Sequence, residues 1–117
     1  MANRERGEVS FEASDKTWTM KLGTNAMCEI EEATGKGMAE IGELLSNDKT
    51  ATIGLMRVVF WGALHAFHQD LTTAQAGELI DEIGATRAGQ LIGEAFTAAR
   101  PVEKAGAGSR PPRAAAA

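Results

Sequence analysis

Cysteine is nearly absent: Cys28 is the only one, so no disulfide can form within the chain. That excludes the disulfide-stapled class of small secreted domains and agrees with a reducing compartment. Long apolar runs are also missing. The longest, Val58 to Leu64, falls far short of the ~18 residues that a membrane span needs. The first residues, Met1-Ala2-Asn3-Arg4-Glu5-Arg6, are charged with no apolar stretch behind them, which is unlike a secretory signal. A soluble, cytoplasmic protein is expected. Positive charge is scarce where a core would form. Residues 1–99 hold 8 Lys/Arg against 15 Asp/Glu, a net of −7 by subtraction, whereas residues 100–117 hold Arg100, Lys104, Arg110 and Arg113 against Glu103. An acidic body repels phosphate backbones, so neither nucleic acid nor membrane is expected as a partner.

What remains is a chain of 117 residues, 44% hydrophobic, with room for one domain and a tail. Residues 8–22 alternate as a β-hairpin: Val9, Phe11 and Ala13, then Trp18, Met20 and Leu22, with Ser14-Asp15-Lys16 as the turn. A lone hairpin is marginal in water, so its apolar face must lie on helices. Its outer edges stay open for self-association unless something covers them.

From residue 24 the period becomes helical. Thr24 or Asn25 can cap a helix whose Ala26, Met27, Ile30 and Ala33 share a face, and Gly35 suits its left-handed end. Met38, Ile41, Leu44 and Leu45 mark a short second helix. Residues 51–69 are apolar around most of a helix, which predicts a central element packed on several sides. Thr72-x-x-Gln75 fits a capping box, with Leu71 and Ala76 as its hydrophobic staple. The helix it opens carries Ala76, Leu79, Ile80 and Ile83 and stops at Gly84. Thr86 can cap a last helix with Ala88, Leu91, Ile92, Ala95 and Phe96, on which Gly89 and Gly93 would allow close backbone approach. The expected fold is α+β: an N-terminal hairpin on a bundle of about five short-to-medium helices over residues 1–100. A disordered Gly/Ala/Pro-rich tail is expected over residues 101–117.

No residue pattern supports catalysis. His65 and His68 lack the further ligands of a zinc site, so neither metal nor cofactor is expected. Cys28 lies among Glu29, Glu31 and Glu32, which disfavour a thiolate; it reads as a small, partly buried hydrophobe. The same glutamates read as a solvated helix face rather than a catalytic pair. Gly35-Lys36-Gly37 lacks P-loop spacing. The helix pair over 72–98 has Arg87 as its sole cation, too little for a recognition helix on DNA. Arg57, Trp61, His65 and His68, spaced four, four and three apart, line one helical face. They form the candidate protein-binding stripe, since Trp and Arg dominate binding hot spots. The alternative is that Trp61 packs beneath the hairpin or the second helix while Arg57 reaches out to water.

The order of signals carries a resemblance. The hairpin is followed by Gly23-Thr24-Asn25-Ala26-Met27-Cys28-Glu29-Ile30-Glu31-Glu32, by Met38-Ala39-Glu40-Ile41, and then by Asp70-Leu71-Thr72 with Ala76-Gly77-Glu78-Leu79-Ile80-Asp81. Over residues 4–100 this resembles the tail assembly chaperones of gene transfer agents and related siphophages. The resemblance implies a non-enzymatic protein of the bacterial host cytoplasm. Such a protein coats the tape measure protein before tail tube polymerisation, with the tail tube protein as a second candidate partner. It brings no catalytic residues to transfer. Two alternatives from other classes are a structural virion protein of the tail or connector and a small regulatory DNA-binding protein.

Overall fold

The structure, a computed structural model, describes residues 6–107. Two strands, β1 (Glu8–Ala13) and β2 (Lys16–Lys21), form an antiparallel hairpin. Five helices follow: α1 (Thr24–Thr34), α2 (Met38–Leu45), α3 (Ile53–His65), α4 (Thr73–Ile83) and α5 (Ala85–Ala107). This is the expected α+β hairpin-plus-bundle. α5 continues past Arg100-Pro101, so the first part of the expected tail coincides with its last turns; residues 108–117 lie outside the described residues.

The hairpin register sets Val9 opposite Met20 and Phe11 opposite Trp18, placing those four on the core face. Its turn is tighter than the three residues expected. Ser14 and Asp15 alone form it, both at positive φ (54° and 58°), while Lys16 already pairs with Ala13 in β2. Two consecutive left-handed residues give the hairpin turn whose twist matches that of the strands, a conformation that costs Ser more than Gly. Glu82 of α4 offsets that cost, its carboxylate accepting the Ser14 N–H and Oγ–H, each at 2.6 Å.

The central position predicted for residues 51–69 holds for α3, which packs on β2 and on every other helix. Phe60, Val59 and Leu64 are fully buried, joined by Met20, Ile30, Ile41 and Leu91. Phe11 and Phe60 meet with ring centroids 5.6 Å apart, fixing the hairpin to α3. α1 lies close upon α3: a Cβ placed on Gly62 would lie 2.4 Å from Ile30 Cγ1. Gly89 and Gly93, expected to play that part, do not. A Cβ on Gly93 meets nothing within 4 Å, and one on Gly89 meets only Met56 Cε at 3.9 Å. Their side of α5 faces an open groove.

The helix ends differ in part from expectation. Thr72 forms the full capping box with Gln75, with Leu71 and Ala76 both buried beside it. α1, however, is capped by Gly23 without a side-chain bond, because Thr24 and Asn25 already have helical backbone. α5 begins at Ala85 directly after Gly84, so Thr86 sits inside the first turn and caps nothing. Cys28 is exposed, not partly buried, and Ala33 is exposed as well, because the face that α1 turns to α3 is narrow and centred on Ala26 and Ile30.

Candidate functional site

The four residues of the proposed stripe do not share one face. α3 ends at His65, and the chain then tightens as the Phe67 and His68 N–H groups both donate to the Leu64 carbonyl. His68 is thereby carried away from the helix and onto the hairpin. Its ring stands 4.7 Å from that of Trp18, and its Nε2 accepts the Thr19 N–H at 3.1 Å. A nitrogen that accepts must be unprotonated, so the proton of the neutral ring sits on Nδ1. Burial, and secondarily the nearby Lys16 charge, hold the His68 pKa below its ordinary value of 6.5. The edge of β2, expected to stand open, is occupied at Thr19 by this bond.

Trp61 and His65 do come together, with ring centroids 4.9 Å apart. Both are engaged internally. The Trp61 indole N–H donates to the Leu71 carbonyl at 2.9 Å, pinning the α3–α4 connection, and His65 Nδ1 lies 3.0 Å from Glu29 Oε1 on α1. Trp61 is therefore tied to the residues leading into α4. Arg57 is exposed, its stem running beside Gly77 of α4, as the snorkelling alternative expected. Among the described residues no group of three or more His, Cys, Asp or Glu is placed to hold a metal ion. No described helix is long and apolar enough to cross a membrane.

Two concave surfaces lie on the described residues. The first is an open groove of about 680 Å³ between α2 and α5, lined by Met38, Leu45, Ile92 and Phe96 together with Gly42 and Gly93. The missing side chains at the two glycines leave backbone where a docked helix could lie close. The second is a cleft of about 550 Å³ at the turn end of the hairpin. Trp18 and Phe67, the latter 47% exposed, give it aromatic surface, and Asp70, Glu78 and Glu82 give it negative charge. Lys16 reaches across it, Nζ 4.4 Å from the Trp18 ring centroid. Gly89, Gly93 and Phe96 stand out in the sequence but the groove does not, since only the placement of α2 shows what lies opposite them. The cleft is hidden for a similar reason: its lining joins the hairpin residues Ser14, Lys16 and Trp18 to residues 67–82, far away in the chain. Comparison with protein-family models, curated proteins and solved structures gives no match.

Proposed function

We propose that this chain is a tail assembly chaperone, holding the tape measure protein during tail morphogenesis and performing no chemistry. The observation that carries this reading is the α2–α5 groove. It brings apolar side chains from helices on both sides together with glycines, which suits a groove that receives an amphipathic helix. Glu43 on the groove wall and Glu40 beside it on α2 add negative charge that favours a helix with lysine or arginine flanking its apolar stripe. α2 is 8 residues long, about 12 Å of helix, enough to grip roughly two turns of a partner. Many copies along a long helical protein would each cover a short stretch, which matches a coating role better than a single tight contact.

The resemblance of residues 23–32 and 70–81 to tail assembly chaperones points the same way, and with it a site of action in the bacterial cytoplasm. Because Trp61 and His65 are engaged internally, we assign partner binding to the groove in preference to the stripe. Co-expression with the tape measure protein tests the proposal. A chaperone keeps that protein soluble, co-purifies with it in many copies and is missing from finished particles. Abundant peptides of this chain in purified particles, with no effect on tape measure solubility, would instead identify a structural tail protein.

A further inference from the structure

The cleft at the hairpin turn carries a second, independent inference. Its shape and charge describe a ligand: aromatic surface from Trp18 and Phe67, carboxylates from Asp70, Glu78 and Glu82, and one cation, Lys16, lying over the indole. The side chains of Asp70 and Glu78 meet no hydrogen-bond or ion-pair partner among the described residues. Glu82 receives Ser14 on both oxygens, and each oxygen retains a second lone pair. An aromatic surface beside carboxylates is suited to proline rings and arginine together, because prolines pack on the rings while guanidinium pairs with the acids.

The sequence contains one such segment, Arg110-Pro111-Pro112-Arg113, separated by two residues from the last residue of α5. Adjacent prolines have few backbone conformations to lose, so docking a Pro-Pro sequence costs little further entropy. The segment is also basic, whereas residues 1–99 carry a net of −7. We propose that the cleft binds the Arg110-Pro111-Pro112-Arg113 segment of a second copy of this chain.

A second copy is required by length. A Cβ on Gly7, just before β1, would lie 3.7 Å from the Ala98 carbonyl oxygen, while the far end of β1 reaches Glu82, three residues before α5 begins. The hairpin therefore runs back along α5, and the cleft sits at the helix's N-terminal end. From there to Ala107 is about 25–33 Å of helix. Arg110 can lie no more than about 11 Å beyond Ala107, so both arginines cannot return to their own cleft. Exchange between copies can be reciprocal, giving a closed dimer, or sequential, giving a chain of copies. Lys16 then has a clear part: it holds the indole face in the unoccupied state and is displaced by an incoming arginine.

Sedimentation velocity of the full chain over a concentration series tests this, comparing wild type with the double variant Arg110→Glu/Arg113→Glu, with Glu78→Gln and with Lys16→Met. All these changes lie on exposed side chains or outside the described residues, and circular dichroism verifies folding. Expected are self-association that weakens with added salt, loss by tenfold or more in the double variant, weakening in Glu78→Gln, and strengthening of about two- to fivefold in Lys16→Met. A synthetic Gly-Ser-Arg-Pro-Pro-Arg-Ala peptide should compete and quench Trp18 fluorescence in the Trp61→Phe background. A wild-type chain that stays monomeric at millimolar concentration overturns the proposal, as does association that the double variant leaves intact. Either result leaves the groove reading untouched, because capture of the tape measure protein is measured separately.

Discussion

Replacing Gly62 by alanine adds one methyl group at a close contact between α1 and α3. The new Cβ would lie 2.4 Å from Ile30 Cγ1 and 2.7 Å from Cδ1. Carbon atoms settle about 3.5–4.0 Å apart, so the overlap exceeds 1 Å. Ile30 has no exposed surface and cannot swing away, which leaves separation of α1 from α3 as the main relief. Overpacking of this kind costs about 1–3 kcal/mol, and the depth of the overlap argues for the upper end. Alanine's better helix propensity returns about 1 kcal/mol. The net loss is about 2 kcal/mol, or a fall in melting temperature of roughly 8–16 °C for a domain of this size. Urea denaturation of four proteins tests the cause: wild type, Gly62→Ala, Ile30→Ala and the double variant. With Ile30 shortened, the nearest neighbour left is the Ala26 carbonyl oxygen at an ordinary 3.6 Å. Gly62→Ala should then stabilise, by up to about 1 kcal/mol, against the 2–5 kcal/mol that Ile30→Ala costs alone. Gly62→Ala as stable as wild type in the unmodified background would refute the close-approach argument.

Three further outcomes are expected. Thr72→Ala removes the acceptor of the Gln75 N–H and half of the capping box, so denaturation should register a loss of about 1 kcal/mol. The His68 pKa is lowered on folding, so between its folded value and 6.5 the unfolded chain binds more protons. Its contribution to stability is therefore complete above pH 6.5 and declines as pH falls through that window; the slope should vanish in His68→Asn. Trp61→Phe keeps a ring but leaves the Leu71 carbonyl without its donor, costing about 1–2 kcal/mol in denaturation. It should leave tape measure capture unchanged once the fraction folded is matched by circular dichroism, and selective loss of capture would return the binding site to the Arg57–His65 stripe.

The fold was largely legible because its signals are local. Alternation over residues 8–22, the Thr72–Gln75 box and the all-round apolarity of residues 53–65 each depend on neighbours in sequence. The errors arose where a long-range contact decides. Helical spacing carried the stripe through to His68, but α3 stops at His65, and the bond from Thr19 N–H takes His68 to the hairpin. Cys28 reads as partly buried because a free cysteine behaves as a small hydrophobe, yet only Ala26 and Ile30 of α1 are buried, beside α3. The glycine at a true close approach, Gly62, is unmarked in sequence, whereas the Gly89–Gly93 pair that drew notice faces the groove. Concave surfaces are the least legible of all, since groove and cleft each join segments far apart in the chain.

Gly93→Gln provides the most direct test of the chaperone account. A Cβ built there meets nothing within 4 Å, so the side chain starts in open space and extends into the α2–α5 groove, and it improves helix propensity. The variant should unfold at the same or slightly higher urea concentration than wild type. In co-expression with the tape measure protein it should fail to co-purify and leave that protein insoluble. Undiminished capture by a well-folded Gly93→Gln chain would contradict the assignment of partner binding to the groove, and absence of capture by the wild type would contradict the function itself.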